Sequence, residues 1–306
     1  MIVKTPEDFR RQIDAGWLNS DSPAVPRAVF LVEPSGFRLS EQSARDNVYM
    51  DLSVSVDPAR ALDQHRHLAE RIAACDIPVV RFPGHASTPD DLFPNNVFAT
   101  IPGRCIIGRM LHPERQLEAR RRDIRGFFSD LLQYQTVDLS TDDKLVAELT
   151  GALIVDRSHR IGYCGLSQRV DRAGSEAMHR AFDLALTFEF ELKPSEYHTN
   201  VVMSVLASRA LIICPDAFVD PAVPEAIAAA YPGHVLTISQ AEKEAFAGNC
   251  IALTHKDLFM SQTAVDALSS ASLDRLQSWG FEVHGVALDE IEKAGGSLRC
   301  CVAEIF

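Results

Sequence analysis

One arrangement recurs four times along the middle of the chain: an apolar run, a short polar turn, a second apolar run, then a helix-like stretch. The paired runs are "NNVFATIPGRCIIGRM", "TGALIVDRSHRIGYCGL", "HTNVVMSVLASRALIICP" and "GNCIALTHKDLFMSQTA". Their turns read Pro-Gly-Arg, Arg-Ser-His, Ala-Ser-Arg and His-Lys-Asp, the chemistry expected between hairpin strands. Helical patterns lie between them, in "PERQLEARRRDIRGFFSDLL", "SEAMHRAFDLALTF", "PEAIAAAYPG" and "SSASLDRLQSWG". The closing "LRCCVAEIF" reads as the first half of a fifth unit, and "RAVFLVEPSGF" near the start as its other half. Asn96, Glu148, His198, Asn249 and Cys300 open successive units at intervals of about fifty residues, a period that marks a repeat architecture. Units set around a common axis would turn residues of equal phase toward that axis. Side chains spread over two hundred positions would then meet.

Composition limits what such a site could serve. The 306 residues are 46% hydrophobic and 24% charged, the profile of a folded protein with a real core. This length is read as one domain spanning 1–306. The formal net charge of −12 argues against nucleic acid or anionic lipid as partner. No stretch reaches the length of a membrane span. "MIVKTPEDFRRQIDAGW" lacks the apolar centre of a signal peptide. Seven cysteines without a regular framework suggest reduced thiols and a cytoplasmic setting. Neither CxxC nor HExxH occurs, so no metal site is expected, and no cofactor is called for. Outward-facing helices leave room for a homodimer.

The residues at the common phase suit nucleophilic chemistry. A thiol attacks as thiolate, made so by a base or a positive field, and Arg299 precedes Cys300. His198 is the natural base and later proton donor. Glu148 is the best candidate to orient the imidazole, following general triad logic. If the last segment is a strand, Cys300 and Cys301 point to opposite faces, and only one of them can serve the site. Each residue alone has a plainer reading. His198 would be a hydrogen-bonded histidine, the two cysteines buried small apolar groups, Glu148 a solvated loop residue, and "FPNN" and "FAGN" turns. Their shared phase is what favours catalysis.

In these residues the chain resembles the guanidine-modifying superfamily of arginine deiminases, dimethylargininases and amidinotransferases, closest to the branch with citrulline-hydrolysing enzymes. "TPDDLFPNNVFAT" is similar to its substrate loop and "TGALIVDRSHRIGYCGLSQRVD" to its acid-bearing hairpin. "EYHTNVV", "FAGNCIAL" and "GGSLRCCVAEIF" are similar to the units that follow. The resemblance implies an α/β pentein fold, a five-fold pseudosymmetric α/β propeller of strand-hairpin and helix modules. It implies Cys300 as nucleophile with Cys301 structural, His198 as the catalytic histidine and Glu148 as its acid. Arg169 matches a position that binds a substrate carboxylate, and Asp90 one that meets an ammonium group. Asn95, Asn96 and Asn249 complete the substrate side.

The departure is at Asn96, where relatives carry a carboxylate for the cationic guanidinium. An amide offers donors and an acceptor and suits a neutral ureido group better. The expected activity is therefore hydrolysis of a non-peptide C–N bond in citrulline or a modified arginine, through a covalent Cys300 intermediate. An amidinotransferase, or a silent binding protein of the same fold, are the rivals. "EPSGFRLSEQSARDNV", with Gly36, is the expected closing segment.

Overall fold

The computed structural model describes residues 1–16 and 22–306. Among the described residues sixteen strands form five sheets. Strands β4 (Phe98–Ile101), β5 (Arg104–Ile107) and β6 (Gln135–Asp138) form one sheet. Strands β7 (Leu153–Asp156), β8 (Ile161–Leu166) and β9 (Leu186–Glu191) form the second, with β1 (Ile2–Val3) added beside β9. The third holds β10 (Met203–Leu206), β11 (Ala210–Ile213) and β12 (Val235–Thr237). The fourth holds β13 (Ile251–Ala252), β14 (Asp257–Ser261) and β15 (Glu282–Val286). The fifth joins the two ends of the chain: β16 (Ala303–Ile305) lies antiparallel to β2 (Ala28–Val32), which runs parallel to β3 (Val79–Phe82).

Every sheet obeys one rule. The first two strands pair antiparallel and the third runs parallel to the second, as Leu153↔Cys164 and Tyr163↔Phe188 show in the second sheet. A parallel neighbour requires a crossover. The crossover segments carry helices: α2 (Pro58–Ala73), α3 (Arg172–Ala181), α4 (Ala222–Ala229) and α5 (Ser270–Ser278). An outlying helix, α1 (Pro6–Asp14), lays Phe9 flat on Phe188, with ring centroids 4.7 Å apart. Consecutive sheets touch: β4 meets β16, β10 meets β7, and β13 meets β10.

The hairpins and the joining of the two chain ends agree with the sequence reading, but three details differ. The third strand of each unit was not foreseen. In "SEAMHRAFDLALTF" helix α3 stops at Ala181, because Asp183 takes left-handed backbone (φ 52°); Leu186 then opens β9 with a β-branched and aromatic run. The long pattern at 113–132 is broken into short helical pieces. Finally, Cys300 and Cys301 lie in a helical turn, Leu298–Cys301, that precedes β16, so the alternation of strand faces does not apply to them.

No helix among the described residues is long and apolar enough to cross a membrane.

Candidate active site

Helical turns at the entrances of the first strands build the site. Leu149–Ala152 precedes β7, Thr199–Val202 precedes β10, and Leu298–Cys301 precedes β16; Pro94–Asn96 forms a tighter turn before β4. Glu148 and His198 occupy the residue just before their turns, while Cys300 lies within its own. The phase is therefore shared to within a few residues rather than identical.

The turns converge on a cavity lined by Ser43, Asp90, Asn96, Arg115, Arg169, His198 and Cys300, among others. Its volume is about 20 Å³, room for a water molecule or so.

Cys300 is 1% exposed. Two amides reach its sulfur, Asn249 Nδ2 at 3.4 Å and Asn200 Nδ2 at 3.6 Å. Asn249 also donates to the Asn200 carbonyl and accepts from the Arg299 N–H. It is thereby a strut that fixes the backbone beside Cys300, and it is absent from the cavity wall. Expected on the substrate side, it is placed here against the sulfur itself. Cys301 is buried in the apolar core, and burial pushes its thiol far up.

His198 Nε2 lies 2.9 Å from Glu148 Oε2. An ionised carboxylate only accepts, so Nε2 carries the proton and Nδ1 holds the lone pair when the ring is neutral. Nδ1 is buried with no hydrogen-bond partner. Burial lowers the pKa of His198 and Glu148 only partly offsets this, so the resting ring is neutral. Glu148 is itself fully buried. Desolvation would raise its pKa, yet the Arg169 charge and the His198 hydrogen bond outweigh it and hold the carboxyl below its usual range. Its Oε1 also accepts the Leu111 N–H at 3.1 Å.

Arg169 is expected to receive a substrate carboxylate. Here its guanidinium donates to Glu148, to both oxygens of Asp46 and to the Ser43 carbonyl. All three of its nitrogens are engaged with protein groups, so its position supports holding Glu148 and Asp46 together. Arg115, which the sequence reading did not single out, also lines the cavity. Its Nε and Nη2 bind Glu118 and backbone carbonyls, and its Nη1 has no hydrogen bond among the described residues. Asp90 accepts from Ser43 Oγ through one oxygen and leaves the other, Oδ1, unpartnered; burial raises its pKa. Asn96 lines the cavity, and its Oδ1 is buried without a hydrogen-bond partner. Asn95 is fully buried, has both amide atoms unpartnered and does not line the cavity.

Asp46 and Asn200 were also missed. Asp46 lies inside the expected closing segment, "EPSGFRLSEQSARDNV", and that segment is folded against the site. Asp46 binds Arg169 and His112, and Asn47 donates to the Gly295 carbonyl at 3.1 Å. Asn200 sits two residues beyond His198, inside the quoted "EYHTNVV".

The mixed α/β fold and this grouping of thiol, imidazole and carboxylate define a member of the pentein arginine-deiminase and dimethylargininase superfamily. Residues 33–306 match the model of the family "N,N dimethylarginine dimethylhydrolase, eukaryotic", and the chain belongs to that family. Two curated relatives are similar. The N(G),N(G)-dimethylarginine dimethylaminohydrolase of Mycobacterium tuberculosis is 25% identical over 259 residues, 85% of this chain and 80% of its own. The uncharacterised protein YkgA of Bacillus subtilis is 24% identical over 249 residues, 80% of each. Among solved structures, the substrate-bound N-terminal domain of ArgZ, a cyanobacterial arginine dihydrolase, aligns with TM-score 0.78 at 20% identity, covering 91% of this chain and 97% of that one. A dimethylarginine dimethylaminohydrolase adduct with 4-chloro-2-hydroxymethylpyridine aligns with TM-score 0.70 at 18% identity, covering 91% and 99%.

Proposed function

We propose that this protein is a cysteine-dependent hydrolase of a non-peptide C–N bond in an arginine-derived amino acid. The carrying observation is the convergence of Cys300, His198 and Glu148: a sulfur held by two amides and a histidine with one unpartnered nitrogen, both on one cavity, with Glu148 behind the histidine. Family membership and the named activities of the relatives support the same reading. In this mechanism Cys300 Sγ attacks the central guanidino or ureido carbon after its proton passes to His198 Nδ1. The imidazolium, stabilised by Glu148, returns that proton to the departing nitrogen as the C–N bond breaks. His198 Nδ1 then deprotonates a water that attacks the carbon–sulfur adduct; the C–S bond breaks and Nδ1 returns the proton to sulfur, restoring the thiol.

Asn96 brings an uncharged amide, not a carboxylate, to the cavity wall, and the lack of a buried counter-charge at that position supports a ureido or neutral guanidine-derived group over a permanent cation. Arg115, with Nη1 unengaged, is better placed than Arg169 to meet a substrate carboxylate, and Asp90 Oδ1 to meet an ammonium group. The cavity is too small for an amino acid, so residues 33–48 must move to admit substrate. The contacts of β4 with β16, β7 with β10 and β10 with β13 support a five-fold propeller with the site at its axis.

The test is a product assay on purified protein and Cys300→Ala, each incubated separately with arginine, citrulline, Nω-methylated arginines and agmatine. Ornithine from citrulline, absent with Cys300→Ala, is the expected result. Citrulline formed from an arginine derivative would keep the nucleophile and overturn the reading of Asn96. Silence on every substrate would overturn the hydrolase.

A further inference from the structure

Away from this cavity, three side chains from distant parts of the sequence come together where two neighbouring units meet. Cys75 follows the C-terminal end of α2, a helix of the unit that contains β16, β2 and β3. Asp257 opens β14 and His284 lies on β15, adjacent parallel strands of the next sheet. Cys75 Sγ is 3.7 Å from His284 Nε2, and that nitrogen is 2.8 Å from Asp257 Oδ1. The three atoms lie within 4.8 Å of one another.

We propose that Cys75, Asp257 and His284 form a binding site for a zinc-class divalent cation, distinct from the catalytic cavity and completed by water. The geometry carries this. Zinc bonds of about 2.3 Å to sulfur and about 2.0–2.1 Å to nitrogen or oxygen place tetrahedral ligand atoms roughly 3.3–3.6 Å apart, close to the sulfur–nitrogen separation present here. The nitrogen–oxygen pair needs to open by only about half an ångström on the same geometry. The ligand set of thiolate, imidazole and carboxylate is one that zinc accepts.

The surroundings are organised around these atoms. Thr254 Oγ1 holds the second oxygen of Asp257 at 2.5 Å, which orients the carboxylate. Phe259 stacks on the His284 ring with centroids 4.7 Å apart and interplanar angle 25°. Asp257 is buried and His284 is 16% exposed, so the ligands are shielded while a path to solvent stays open. Lys256, the nearest lysine in sequence, is drawn toward Glu282 at 3.6 Å. On binding, the cation takes the place of the Cys75 thiol proton, which leaves to solvent, and the proton that His284 Nε2 holds against Asp257 is given up as the ring changes to the tautomer protonated at Nδ1. One divalent cation, one thiolate and one carboxylate then sum to a neutral site. Because the ligands come from two units, the bound ion would staple α2 to the neighbouring sheet and stabilise the folded chain by mass action.

The experiment uses untagged full-length Cys300→Ala protein, since the active-site thiol and histidine could bind zinc themselves and this background separates the two sites. After chelation and dialysis, the protein is titrated with Zn²⁺ and, as a spectroscopic probe, with Co²⁺. The expected result is one equivalent of Zn²⁺, a cobalt–thiolate charge-transfer band, and a melting temperature raised by Zn²⁺. All three should vanish when Cys75→Ser is added. His284→Gln should weaken binding at least about tenfold, the smallest loss typical even of second-shell changes. Absence of zinc uptake by Cys300→Ala overturns the site. So does uptake with an unchanged cobalt–thiolate band after Cys75→Ser. Hydrolase activity of an otherwise native Cys75→Ser protein should be unchanged, so failure here and failure of the hydrolase reading are read independently.

Discussion

Gly151 sits where the turns of the site are tightest. A Cβ at this position would lie 2.4 Å from Asn96 Oδ1 and 2.7 Å from His198 Cε1, distances no carbon tolerates. Gly151→Ala must therefore displace the imidazole or the Asn96 amide. Misplacement of a reacting group by about 1 Å can cost on the order of a hundredfold in rate, and a loss of that order in kcat/KM is expected, with near-native circular dichroism as the check on folding. Glu148 makes a different prediction. Glu148→Gln keeps the shape but removes the charge that orients His198 and balances Arg169, so turnover should fall by about 10²–10⁴, the range of general acid–base contributions. The folded-state pKa of Glu148 is depressed, so its stabilising effect is present above the unfolded value of about 4.3 and is lost as pH falls through the folded one. Denaturant melts should show the stability gap between native and Glu148→Gln proteins narrowing steadily as pH is lowered below about 4.5.

Helix α2 carries an anomaly that its sequence hides. His65 faces the core, is 0% exposed, and both ring nitrogens lack partners. Burial lowers its pKa to about 4. The unfolded chain therefore takes up a proton more readily, and stability drains away as pH falls from about 6.5 toward 4. Replacing His65 with Leu should raise stability at pH 7 by about 1–3 kcal/mol, the usual cost of unpaired buried polar groups, and flatten that part of the pH profile; urea melts at pH 7 and 4.5 test both. The same helix shows the limits of sequence reading. Hairpins were legible because alternating apolar runs flank turn residues, and Cys300, His198 and Glu148 were legible because their spacing repeats. The third strands were not, since short apolar runs after a helix blend into its pattern. Asp46, Arg115 and Asn200 were invisible because nothing in spacing says which polar residue of a loop or short helical turn folds inward. The Cys75, Asp257 and His284 cluster was missed for the same reason: its members meet only through packing between units.

At the scale of the whole molecule, the sheet that follows the Cys300 turn is made from both ends of the described chain. Ala303 pairs with Phe30 and Ile305 with Ala28. The Phe306 carbonyl accepts from Tyr134 and from Arg27 at 3.1 Å, and its N–H donates to Thr100 Oγ1 at 3.0 Å. Deleting Ala303–Phe306 should abolish both cooperative thermal unfolding and activity, whereas a variant lacking β1 and α1, which pack on the second sheet and contribute nothing to the cavity wall, should keep its site at lower stability; calorimetry and the product assay distinguish the two.

The pairing of β16 with β2 also sets an order in time. Synthesis proceeds from the N-terminus, and domains begin folding as they emerge. Strand β2 must then wait, one edge unpaired, through the making of four further sheets, and such long-range pairings are intrinsically slow to form. Throughout that interval His198 and Glu148 can already be in place while the sulfur is not. Under the proposed mechanism an incompletely assembled chain lacks its attacking sulfur, and appearance of turnover reports that β16 has docked on β2.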